Sequence, residues 1–140
     1  AQCVEDSSGS PVNADCDSAS GTENQAGEKL ERSPDYEFNL SAIWESQLTD
    51  TIVLKGSASM YRSDGYFVQP TQAAYATQSA FTKWDARIAL AGNDERWEVG
   101  VIGRNLGDEM TIQHAYNIAG NQFQNLSIGR SYLLEGIVRF

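Results

Sequence analysis

Few residues in this chain carry chemistry that could turn over a substrate. The 140 residues include one histidine, His114. One imidazole in a loop, with no Ser and Asp set around it, does not make a nucleophile–base–orienter triad. The neighbouring acids Asp94-Glu95 and Asp108-Glu109 fall in turn-like sequence, where solvated carboxylates are expected and not a catalytic dyad. Cys3 and Cys16 sit in a Ser/Gly/Asn/Asp-rich stretch. They either pair as a disulfide, closing a short loop in an oxidising compartment, or stay as two thiols. A bridge over so short a loop would contribute roughly 3 kcal/mol. Two Cys and a distant His114 do not supply four zinc ligands, so no metal site is expected. No cofactor motif is present. The residue types best suited to gripping a ligand are the loop aromatics Tyr66, Phe67, Tyr75, Tyr116 and Phe123. With them stand His114 and the amides Gln69, Gln72, Asn117 and Gln122. Aromatic and amide side chains on loops serve recognition; their alternative role is to pack the loops against each other.

The elements that must carry these loops alternate with period two. Tyr36, Phe38, Leu40, Ala42 and Trp44 share one face, with Glu37, Asn39, Ser41 and Glu45 on the other. That is a strand pattern. Further strands are predicted at about 51–62, 81–91 and 96–106, with a fifth from near Phe123 to Phe140. Gln47–Asp50 and Gly92–Glu95 read as tight turns. Ser63–Ala80 and Gly107–Gln122 read as long loops, and 72–79 admits a helical reading. On the second strand Ile52, Leu54, Gly56, Ala58 and Met60 face Lys55, Ser57, Ser59 and Tyr61. On the third, Trp84, Ala86, Ile88 and Leu90 face Lys83, Asp85 and Arg87. Long and short connections alternate, which puts the short turns at one end of a sheet and the long loops at the other.

Charge is uneven. The chain carries −9 overall. Residues 1–31 hold seven acids and one lysine, and the rest holds twelve acids and nine bases. No basic patch exists to neutralise phosphates, which argues against nucleic acid. No stretch is apolar enough for a transmembrane helix, but alternating strands cross a membrane without one. Under the up-and-down order, Tyr36, Trp84 and Tyr132 fall near one end of the apolar face. Trp44, Trp97 and Phe140 fall near the other. Tyr36 to Trp44 spans about 20 Å of height at a tilt of ~40°, near the ~25 Å band between the aromatic girdles of an outer-membrane barrel. The competing readings are a soluble or secreted β-barrel binding protein, whose core is this same face, and a passive porin or adhesin barrel.

Residues 32–140 resemble the C-terminal end of TonB-dependent outer-membrane receptors. The likeness rests on Arg32-Ser-Pro-Asp-Tyr36, Met60-Tyr-Arg-Ser-Asp64, Trp84-Asp-Ala-Arg87, Arg96-Trp-Glu-Val99, Gly103-Arg-Asn-Leu-Gly-Asp108 and the run from Tyr132 to Phe140. In one place the chain departs from the usual terminal pattern, with Glu135 where Gly is favoured and Gly136 following it. The resemblance implies an all-β fold, an antiparallel up-and-down meander of about five transmembrane strands from a 22-stranded barrel around a plug. Residues 1–34 would be an extracellular loop, with Cys3–Cys16 as its disulfide, and 35–140 the last five strands. The chain, starting at Ala1, is expected to be a fragment of a longer receptor. It would lie in a bacterial outer membrane with extracellular loops and a periplasmic C-terminus. Its partners would be lipid, the rest of the barrel, the plug, and TonB through an N-terminal part not in this sequence. The implied activity is import of a scarce siderophore, cobalamin or glycan, not enzymatic turnover. Lys55, Asp85, Arg87, Glu98, Arg104 and Glu135 are expected to form an inward salt-bridge lattice. The Asn39-Leu-Ser and Asn125-Leu-Ser matches to a glycosylation acceptor carry no role in such a protein.

Overall fold

The computed structural model describes residues 16–17, 22–23, 26–70 and 72–140. The Cys3–Cys16 pairing lies outside the described residues. The described chain is all-β, apart from one turn of 3₁₀ helix at Ala74–Ala76. The strands are β1 (Cys16–Asp17), β2 (Thr22–Glu23), β3 (Glu37–Gln47), β4 (Ile52–Ser63), β5 (Tyr66–Phe67), β6 (Thr77–Gln78), β7 (Phe81–Gly92), β8 (Trp97–Arg104), β9 (Ile112–Ile118), β10 (Asn121–Leu126) and β11 (Ser131–Val138). All pairings are antiparallel.

The chain divides into two compact units. One is a five-stranded sheet in the order β11-β8-β7-β4-β3. Along each strand one set of alternate positions is mainly apolar, while Ile43, Val53, Ile102, Leu133 and Ile137 fall on the other set. The turns at 48–51 and 93–96 join neighbours at one end of the sheet. Thr49 secures the first by accepting the Ile52 amide on its Oγ1 at 3.1 Å. In the second, Glu95 takes a left-handed φ of 57° and its amide donates to the Gly92 carbonyl. Segments 26–36, 64–80 and 105–130 all join the sheet at the opposite strand ends.

The second unit comprises residues up to Tyr36 together with 64–80 and 110–127. It contains the β5–β6 pair, the 3₁₀ turn and the β9–β10 hairpin. Its small core is Val68, Ala76 and Ala115, with Tyr66, Tyr75 and Ile112 packed against it.

Two expectations change here. The fifth sheet strand starts at Ser131, not near Phe123; residues 112–126 instead form their own hairpin. Ala119 and Gly120, with φ of 50° and 83°, make its tight turn. Two successive positive φ values match the twist of the flanking strands, as in a type I′ turn. And 72–79 is not a helix: after the 3₁₀ turn the chain extends into β6, where it pairs with β5.

Candidate functional site

The sheet has two unlike faces. On one stand Leu40, Trp44, Trp84, Ile88, Leu90, Trp97, Val99, Val101, Tyr132, Leu134 and Val138, every one of them exposed. Monomeric soluble proteins rarely show contiguous apolar patches beyond a few hundred Å². Three glycines on this face are covered by aromatic rings from the neighbouring strand, while Gly136 on β11 stays open. Trp44 lies over Gly56, directly opposite it, so closely that a Cβ there would stand 1.9 Å from the indole. Trp97 covers Gly92, and the Tyr132 ring leans on Gly103 together with Leu106. These pairings fill the gaps a glycine leaves and fix the ring positions.

The rings follow oblique lines. One step beyond the Ala91–Glu98 pair, Trp97 faces Gly92, which faces Ile52, which stands beside Leu48. From Trp44 to Trp97 the line therefore drifts four residues along the strands over three strand steps. At ~3.3 Å per residue and ~4.8 Å per step this is an angle of about 43°. Trp84 is level with Met60 and Leu40, whereas Tyr132 is level with Gly103, Ala86, Ala58 and Ala42. That line drifts two residues over two steps in the same sense, about 35°. Phe140 lies past the end of β11 and is fully exposed, and Tyr36 precedes β3, half-exposed.

The opposite face is mixed: Ile43, Val53, Ile102, Leu133 and Ile137 share it with the charged side chains. Arg87 on β7 donates to Glu98 on β8 and to Glu135 on β11, and Lys55 on β4 reaches Glu98 at 3.3 Å. Four adjacent strands are thus tied together. Gly100 stands on β8 between Arg87 and Glu135, and a Cβ there would sit 3.0 Å from Ala89 Cβ, 3.2 Å from the Ile88 carbonyl and 3.4 Å from Arg87 Nη2. The glycine leaves room for the guanidinium to cross β8. Asp85 and Arg104 do not join this set. Asp85 Oδ1 instead accepts the Asn105 amide at 2.7 Å. The buried Asn105 side chain in turn accepts the Glu109 amide and donates to the carbonyls of Glu109 and Ile128. Asp108 accepts the Arg130 amide at 2.7 Å. The Asn105–Asp108 segment is therefore a clasp between β8 and β11, and Asp108 holds backbone in place.

In the other unit the loop aromatics separate into two sets. Tyr66 and Tyr75 turn inward against the Val68–Ala76–Ala115 core, and Phe67 is half-buried in β5. The Tyr75 hydroxyl donates to Gln69 Oε1 at 3.1 Å, and burial holds its phenol above the usual range. Gln69 also donates to the Ala115 carbonyl, Gln124 to the Tyr75 carbonyl, and Gln72 to the Lys29 carbonyl. Gln78 accepts the Ile112 amide. These glutamines staple backbone segments, which takes Gln69 and Gln72 out of the set free for a ligand. Tyr116 and Phe123 form the outward set. They are cross-strand partners on the hairpin, their rings 5.5 Å apart and inclined by 18°. His114, paired with Asn125, shares their face and is exposed. No group of three or more metal-binding side chains occurs among the described residues.

No protein-family model, no curated protein and no solved structure matches the chain.

Proposed function

We propose that the five-stranded sheet is a stretch of wall in an outer-membrane β-barrel of the TonB-dependent receptor kind. In this reading the apolar face meets lipid, the mixed face that bears the ion pairs looks into the barrel, and the long segments lie on the outer side. The whole protein would import a scarce ligand, and this part supplies wall and loops with no catalysis. The observation that carries the reading is the slope of the aromatic lines. Barrel strands tilt ~35–45° from the membrane normal, so a girdle parallel to the membrane must cross them obliquely at that angle. The lines through Trp44 and Trp97, and through Trp84 and Tyr132, slope by about 43° and 35° in one sense. The exposed Leu, Val and Ile between the lines, and the ion pairs behind them, support the same assignment.

The test is lipid contact. Single-cysteine variants of the whole barrel, each carrying an environment-sensitive fluorophore, are reconstituted with brominated lipids. Quenching is expected at positions 88, 90, 99, 101 and 134 and not at 57, 59, 85 or 102. A chain that folds cooperatively as a monomer in water, without detergent, would overturn the reading. The coding sequence upstream of Ala1 separates the receptor from a passive porin, since a receptor must show a plug domain there.

A further inference from the structure

The charge map holds a feature that a membrane wall does not need. Residues 65–80 and 110–127 contain no Asp, Glu, Lys or Arg, in a protein whose net charge is −9. These two stretches build most of the described part of the second unit, and they carry its exposed aromatic pair, Tyr116 and Phe123. The outward face of the β9–β10 hairpin is a ladder of three cross-strand pairs: His114 with Asn125, Tyr116 with Phe123, and Ile118 with Asn121. Tyr116 and Phe123 keep 44% and 46% of their surface open. Near-parallel rings whose centres are 5.5 Å apart are offset from each other, so each leaves part of a ring face available. The other side of the hairpin is anchored, with Ala115 buried in the core and Gln124 donating to the Tyr75 carbonyl. An anchored hairpin presents its ladder in one arrangement, so ordering it on binding costs little.

We propose that this face binds a neutral, polyhydroxylated ligand, a linear oligosaccharide. The proposal rests on the receptor reading and names its substrate class. A pyranose ring has an apolar C–H face that stacks on an aromatic ring and a rim of hydroxyls that both donate and accept. Asn carries a donor and an acceptor on one side chain, as does a neutral imidazole. The ladder puts such groups, Asn125 with His114 and Asn121, at either end of the aromatic pair. The rings are stacked with an offset, so the uncovered part of each is open to the C–H face of a sugar ring on its own side of the pair. An anionic iron chelate asks instead for Arg or Lys around it, and neither stretch has one. Arg32, in the same unit, donates its guanidinium to the Gln113 carbonyl at the backbone edge of the hairpin.

The experiment titrates the whole receptor that contains this chain, in detergent micelles, with neutral hexasaccharides of α-linked glucose, β-linked glucose, xylose and mannose. Cyanocobalamin and a ferric tris-catecholate serve as the other two classes. Saturation-transfer NMR identifies the contacted protons and calorimetry gives the affinity. At least one neutral hexasaccharide is expected to bind with its ring C–H protons most strongly saturated. Tyr116→Ala and Phe123→Ala should each weaken it tenfold or more, while Phe123→Trp retains binding. Asn125→Ala, which leaves the aromatic pair intact, should weaken it several-fold, and Leu134→Ala on the sheet should leave it unchanged. Three outcomes overturn the proposal: no hexasaccharide binds, binding is indifferent to the hairpin variants, or the chelate binds and is lost with them. Lipid quenching on the same preparation separates the failures. Saccharide binding absent with quenching intact removes the ligand class alone, whereas quenching absent removes the wall.

Discussion

Arg87→Met removes the cation that reaches across β8, and the structure sets the size of the effect. Glu98 is only 6% exposed, so its carboxylate depends on its partners for the interactions water would otherwise supply. Losing one partner of a buried ion pair costs 3–5 kcal/mol, and a charged hydrogen bond 1.5–3. Glu98 keeps Lys55 at 3.3 Å after the substitution, which places the loss near the lower figures, about 2–3 kcal/mol. Glu135 is more exposed, at 35% of its side chain, so Glu135→Gln should cost about 0.5 kcal/mol. In the double variant Arg87→Met/Glu98→Gln the charge that needed compensation is gone, and more than half of the loss should return. Denaturant titration in micelles, followed by far-ultraviolet circular dichroism, gives the three midpoints. A loss below about 0.5 kcal/mol for Arg87→Met, or a double variant no better than the single, would refute the claim that Glu98 depends on Arg87.

Three further substitutions test local geometry. Gly56→Val sets side-chain atoms where the Trp44 indole now lies, since even a Cβ would be 1.9 Å from it. The expected result is a displaced ring, a shifted tryptophan emission and a loss of about 1–2 kcal/mol. Ala119→Gly relieves a residue held at φ 50° and should protect the hairpin amides in hydrogen exchange by about 0.5–1 kcal/mol more. Tyr75 stays protonated to higher pH when folded than its ordinary 10.0. Its contribution is therefore fully present below pH 10.0 and lost as pH rises through the folded value. The midpoint of thermal unfolding, followed by circular dichroism, should fall as pH rises above 10.0, and Tyr75→Phe should lessen that fall.

Strand content was legible wherever alternation ran unbroken. Phe38, Leu40, Ala42 and Trp44 mark β3, and Trp84 to Leu90 mark β7, because one apolar and one polar face leave no second arrangement. The β9–β10 hairpin was hidden. Its turn is Ala119-Gly120 where Asn-Gly is the usual signal, and Asn121-Gln-Phe-Gln-Asn125 is too polar to alternate visibly. Face assignments from parity were likewise sounder than partner assignments. Lys55, Asp85, Arg87, Glu98, Arg104 and Glu135 share a parity class within their strands, yet which of them meet depends on register. Register joined Arg87 to Glu98 and Glu135 and gave Asp85 to the Asn105 amide. For the same reason the pairing of Tyr116 with Phe123 was out of reach, while Tyr66 and Tyr75 turned inward to a core too small to show in composition.

The Lys55–Glu98–Arg87–Glu135 set holds two cations and two anions, which sum to no charge. From a few ångströms away its field is that of opposed dipoles and fades faster with distance than a lone ion's. If this face lines a passage, an ion drifting past that patch is neither captured nor repelled. The same bonds that brace the strands make it electrically smooth, so permeating solutes would be sorted elsewhere.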